Sequence, residues 1–151
     1  MSALSGLSEL PVSELQRRIV VAFDGSEPAK KALDWAIRNA KLEPAVIDVV
    51  TAWTFPMVPA YAFCHSVEDV EKVARKELED ALTHVAEVAP DIVVRGELTD
   101  DAPGPAIVAA SKGADLLVVG PWGRSGLQTL VLGSVSAYCA KHAPCTVVVV
   151  R

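Results

Sequence analysis

The chain has 151 residues, 51% of them hydrophobic and 22% charged, with a formal net charge of −5. That length suits one domain whose core needs neither a metal nor a disulfide, and the composition carries no excess of the disordered kind. The acidic balance excludes the basic footprint of a nucleic-acid or anionic-membrane binder, and no apolar run approaches the roughly 20 residues of a bilayer span.

Residues 1–16 mix Ser, Leu and Glu without sustained periodicity and are expected to form a loosely ordered arm ahead of a domain over 17–151. Ile19-Val20-Val21-Ala22-Phe23 then reads as a strand covered on both faces. Asp24-Gly25-Ser26-Glu27-Pro28 turns the chain, with Ser26 as an N-cap and Pro28 in the first helical turn. Ala29, Ala32, Leu33, Ala36, Ile37 and Ala40 follow at helical spacing. Ala45–Thr51 predicts a second strand, and Asp48 within it suggests that one face is less buried there.

Residues 53–65 are aromatic and proline-rich with neither period, a candidate functional loop. Ser66-Val67-Glu68-Asp69 is a weak capping box, and the helix after it turns Val67, Val70, Ala74, Leu78, Ala81, Leu82 and Val85 inward. Asp91–Gly96 predicts the third strand, Pro103 opens a short helix, and Gly113 falls at the cap of its C-terminus. Residues 114–119 form the fourth strand, 134–142 the last helix and 146–150 the fifth strand. Strands alternating with helices predict an α/β fold with a parallel, doubly wound, Rossmann-like sheet and helices on both faces.

Cys64, Cys139 and Cys145 are an odd number without C-x-x-C spacing, which argues against a disulfide framework or a zinc site. With no basic leader ahead of an apolar stretch, a reducing cytoplasm is the expected setting. His65 and His84 stand apart from any partner for a metal pair, and His142 suits the negative end of the last helix.

The informative segment follows the fourth strand. Gly120 and Gly123 let the backbone turn where side chains would block a ligand, and Gly133-Ser134 opens a helix whose first N–H groups lack partners. Such an arrangement seats an anion. Neither a P-loop nor G-x-G-x-x-G occurs, so the glycines fall after strand four and not after strand one. Ligands in open α/β sheets bind beyond the carboxyl ends of the strands where strand order reverses, so this loop and Asp24-Gly25-Ser26 are expected to face each other. Asp24 has a second reading, as a turn acid that bonds its own backbone.

Gly120-x-x-Gly123, nine residues, then Gly133-Ser134 resembles the nucleotide motif of the universal stress protein family. Ile19–Ser26, Gly113–Gly120 and His142–Val149 extend the likeness over residues 17–151. The resemblance implies five strands in the order 3-2-1-4-5 and a binder of ATP, with AMP or ADP as alternatives and Mg2+ as a companion of the phosphates. It implies that Asp24 contacts the adenosine end and Ala52 the adenine. Val119, Gly120, Gly123, Gly133, Ser134 and Val135 would surround the ribose and phosphates, with Ser136 as a hydroxyl donor and Arg124 as the nearest cation. Pro121-Trp122 departs from the small or basic residues more usual between the glycines, which leaves the form of the nucleotide open. The resemblance further implies a homodimer paired through 146–150.

Fast hydrolysis needs a positioned base and usually carboxylate-held metal, and only Asp24 stands near the expected crevice. The expected role is thus a regulatory or stress-response module and not an enzyme, with slow nucleotide hydrolysis left open. A dimeric interaction scaffold with a vestigial pocket is the other reading.

Overall fold

Ile19, Val20 and Val21 are fully buried because β1 (Arg17–Ala22) runs through the middle of the sheet. The computed structural model describes residues 16–54, 66–123 and 132–151. The expected N-terminal arm, residues 55–65 with Cys64 and His65, and Arg124 lie outside the described residues. After β1 come α1 (Glu27–Leu42), β2 (Ala45–Ala52), α2 (Val67–Val88) and β3 (Val94–Thr99). Then follow α3 (Pro103–Ala110), β4 (Leu116–Val119), α4 (Ser134–His142) and β5 (Thr146–Val149). All strand pairs are parallel, in the order β3-β2-β1-β4-β5, as the sequence and its resemblance implied.

Local signals account for the element starts. Ser26 caps α1 by accepting from Ala29 N at 3.3 Å, with Pro28 in the first turn. Ser66 and Asp69 form a reciprocal capping box at the start of α2. The six apolar positions read into the first helix are all buried, and with Leu78, Ala81, Leu82 and Val85 of α2 they cover one sheet face over Ile19, Val21, Ile47 and Val49. Ile107 of α3 and Cys139 of α4 pack on the other face over Val20, Val50, Leu117 and Val119.

Besides changes of one or two residues at strand ends, four expectations shift. Val67 does not turn inward: it is 48% exposed, because the first turn of α2 starts beyond the packed part of that face. β3 begins at Val94 and not at Asp91, since Ile92 N donates to Ala89 O in a turn that delays the strand. The strand then runs on through Glu97 and Thr99, polar residues that an edge position tolerates. Helix α3 reaches its C-cap at Ser111, and Gly113 takes its left-handed φ of +73° two residues later.

The fourth concerns Asp48, which is not on a less buried face: it is only 9% exposed. Its carboxylate receives Arg95 Nε and an Arg95 terminal nitrogen at 2.6 Å each, and an Arg18 terminal nitrogen at 2.8 Å. The bond to Asp48 holds the Arg95 guanidinium above its ordinary pKa, with burial opposing. Arg18 also donates to Ala110 O at 3.2 Å and to Lys112 O, so it closes the carbonyl end of α3. The cause is length. Eight-residue α3 extends about 12 Å and eight-residue β2 about 26 Å, so the helix cannot cover the strand, and a hydrogen-bonded charge cluster fills the uncovered stretch.

Replacing Asp48 leaves two largely buried guanidiniums without their anion. Asp48→Asn is expected to lower unfolding stability by about 2–3 kcal/mol in urea titrations. A loss below about 0.5 kcal/mol would show the three charges acting as solvated surface groups.

Candidate functional site

Beyond the carboxyl ends of β1 and β4 lies a hollow of about 190 Å³. Asp24 reaches it from the end of β1, Ala52 from the end of β2, and Val119 and Gly120 from the end of β4. Gly123 comes from the following loop, and Gly133, Ser134, Val135 and Ser136 from the start of α4. Nine of the ten residues singled out in the sequence thus meet in one place, and Arg124 lies outside the described residues.

The glycines act differently from the expectation. Among the described glycines only Gly25 and Gly113 have positive φ, so Gly120 and Gly123 are not needed for a left-handed turn. They are needed for close approach. A Cβ on Gly120 would stand 2.8 Å from Pro28 Cβ, and one on Gly123 would stand 2.6 Å from Asp24 Oδ2. A Cβ on Gly133 would meet Trp122 Cα at 3.2 Å. These contacts press the loop after β4 onto the first turn of α1 and onto the start of α4.

Asp24 is oriented by its neighbour. Its Oδ1 accepts from Ser26 N at 3.0 Å and from Ser26 Oγ at 2.5 Å, which is the turn-acid geometry read as an alternative, while Oδ2 lies against Gly123. The positive φ of Gly25, +78°, makes that tight turn possible.

At the other end of the hollow, Gly133 N–H is not free: it donates to Pro121 O at 2.6 Å. The first bond that returns into the helix is Ala137 N to Gly133 O, so by helix geometry the N–H groups of Ser134, Val135 and Ser136 have no intrahelical partner. The Ser136 hydroxyl, expected to be a donor to ligand, is 3% exposed and donates to Pro121 O at 2.8 Å. A carboxylate acceptor and an amide-rich helix start therefore share one crevice, joined by an apolar wall from Val119 and Ile107.

Sequence reasoning placed the Asp24-Gly25-Ser26 loop at the crevice but missed Ala29, Pro103 and Ile107 as lining residues. Ser26 carried a signal, since a serine two residues after an aspartate can bond back to it. Pro103 and Ile107 carried none, because their approach depends on where α3 crosses β2. His84 Nε2 sits 2.9 Å from Asp34 Oδ1 and links α2 to α1, away from the hollow. The His142 ring stacks on Tyr138 with centroids 4.3 Å apart.

A doubly wound sheet whose crevice opens between β1 and β4, bordered by close-packed glycines, defines an α/β protein with a hollow at its switch point, the place where ligands of such sheets bind. The chain belongs to the universal stress protein family, whose sequence pattern matches residues 16–151. It is 34% identical to universal stress protein MJ0531 of Methanocaldococcus jannaschii over 91% of this chain and 83% of that one. A crystal structure of a universal stress protein in complex with cAMP superposes with a TM-score of 0.67 at 28% identity, covering 89% of this chain and 97% of that one. UspA from Lactobacillus plantarum shares the fold, with a TM-score of 0.72 at 23% identity over 89% and 97% of the two chains.

The buried side of α4 carries Cys139, whose thiol is pushed up to about 11 by burial and by the neighbouring Cys145. An acid whose folded pKa is raised stabilises the fold fully below its ordinary value of 9.0, and that contribution is lost as pH rises to the folded value. Unfolding stability is thus expected to fall between pH 9 and about 11, and Cys139→Ala should flatten the fall. Equal slopes in the two proteins across that window would contradict the assignment.

Proposed function

We propose that this chain is an adenine-nucleotide-binding regulatory module of the stress response, with ATP as the intended ligand and ADP or AMP as alternatives. The observation that carries the reading is the opposed polarity of one crevice. Asp24 offers a carboxylate where a ligand presents hydroxyl donors, and the start of α4 offers amide donors where a ligand presents an anion. A nucleotide carries both ends in that order. Asp24 then holds the sugar, Ala52 borders the base, and Val119, Gly120 and Gly123 flank the ribose. Gly133, Ser134 and Val135 bring the helix start up to the phosphates, with Arg124, next in sequence to Gly123, as the proposed cation.

The complex of a family relative with cAMP supports the ligand class. No group of three or more His, Cys, Asp or Glu residues that could hold a metal occurs among the described residues. Mg2+ is proposed as a companion of the phosphates. Binding that alters stability or partner choice, without dedicated turnover, fits such a site. Free Cys139 and Cys145 suit a reducing, cytoplasmic setting.

Mass action gives the test. ATP or AMP at a hundred times its Kd is expected to raise Tm by about 5–10 °C in a chain of this size. Gly123→Val places its Cβ against Asp24 Oδ2 and should abolish the rise. An undiminished rise in that variant, or none in the parent protein, would refute the site.

The edge strand favours a second, compatible role as a dimeric scaffold. β5 ends the sheet and its valines are only half-buried, an arrangement that invites pairing with a second copy. Val150 N donates to Val119 O, so by strand alternation the amides of Val147 and Val149 point outward. Val149→Pro removes an outward donor without touching the inner ladder and is expected to convert a dimer to a monomer in sedimentation analysis. A parent protein that sediments as a monomer would sink the reading.

A further inference from the structure

Ser136 was the one hydroxyl read as a ligand donor, yet its single proton is committed inside the protein. It is buried at 3% exposure, and Oγ donates to Pro121 O at 2.8 Å with Gly133 O further away at 3.2 Å. Pro121 O also receives Gly133 N–H at 2.6 Å. Both lone pairs of one carbonyl are thus used by the first turn of α4. We propose that Ser136 is a positioning residue for the nucleotide's anionic end, clasping the Pro121 carbonyl so that the Gly120–Gly123 turn is held against the start of α4. The inference rests on the nucleotide reading above.

The physical need is clear from the geometry. Pro121 and Gly133 are twelve positions apart in sequence, and the two segments meet at this carbonyl and at the Gly133–Trp122 contact. A carbonyl oxygen turned into the crevice would repel a phosphate. Two donors turn it towards the helix, and peptide planarity then fixes the direction of Trp122 N–H as well. Gly133 is small because the clasp demands it: a Cβ there would stand 3.2 Å from Trp122 Cα and 3.5 Å from Pro121 O. Asp24, oriented by Ser26 in the turn after β1, and Ala52, at the end of β2, are placed by other segments of the chain.

The roles separate by ligand. Calorimetry with AMP and with adenosine compares a ligand that uses the anion seat with one that does not. Ser136→Ala is expected to weaken AMP about tenfold while leaving adenosine within about twofold, and Ser136→Thr, which keeps the hydroxyl, should recover most of the loss. Hydrogen exchange of the Gly133 amide, measured without ligand, should quicken in Ser136→Ala. Equal weakening of both ligands would make Ser136 a merely structural residue and overturn the proposal. Unchanged AMP affinity with a protected Gly133 amide would overturn it too. A parent protein that binds neither ligand would instead bring down the nucleotide reading and the positioning role with it, a result distinct from either.

Discussion

The handedness of the parallel crossovers governs this molecule. Each strand–helix–strand connection is right-handed, so the face on which a helix lands depends on the direction in which the chain moves across the sheet. From β1 the chain steps outward to β2 and β3, placing α1 and α2 on one face. It then returns past β1 to β4 and β5, placing α3 and α4 on the other. The reversal occurs between β1 and β4, where helices leave in opposite directions and the described residues leave a hollow above the strand ends. The hollow is a consequence of topology before any side chain is considered, and its lining residues are those at the carboxyl ends of β1, β2 and β4.

The same reversal leaves the two faces unequally covered. Helices of 16 and 22 residues protect one side, whereas helices of eight and nine protect the other. The thin side is where the charge cluster of the sheet lies. Arg18, Asp48 and Arg95 occupy the part of β1–β2–β3 beyond the reach of α3, and Arg18 closes the end of that helix. Charges are tolerable there because each is hydrogen-bonded and no solvent-free core surrounds them. The short α4 is likewise free to spend its first turn on the hollow, since only Ser136 and Cys139 of its residues are buried.

Much of this was legible in the sequence. Near-continuous apolar runs gave β1, β2 and β4, helical spacing gave the buried stripe of α1, and the helix expected at about 134–142 is α4. Nine proposed site residues line one crevice because glycine spacing and strand position together specify it. What the sequence hid has physical causes. The polar half of β3 shows no strand pattern because an edge strand can expose Glu97 and Thr99. Asp48 looked like a solvent-facing residue because its partners lie on two other strands, distant in sequence. The fate of the Ser136 proton depends on a carbonyl fifteen residues away, which no local pattern encodes.

The glycines show why a ligand motif and a packing motif can be one pattern. None of Gly120, Gly123 and Gly133 needs its backbone freedom, yet a Cβ on Gly120 or Gly123 would overlap Pro28 or the Asp24 carboxylate, and one on Gly133 would crowd Trp122. The glycines and these neighbours together belong to the segments that bound the crevice. The spacing therefore brings the start of α1, the loop after β4 and the start of α4 within contact distance, and the approach of the helix amides follows from that contact. A loop with side chains at these positions would stand off by the width of a methyl group. It would leave Asp24 without its neighbour and the helix start too distant to share a ligand with it. The anion seat proposed for this crevice thus follows from close packing at a switch point, with Ser26 and Ser136 bonding at its two polar ends.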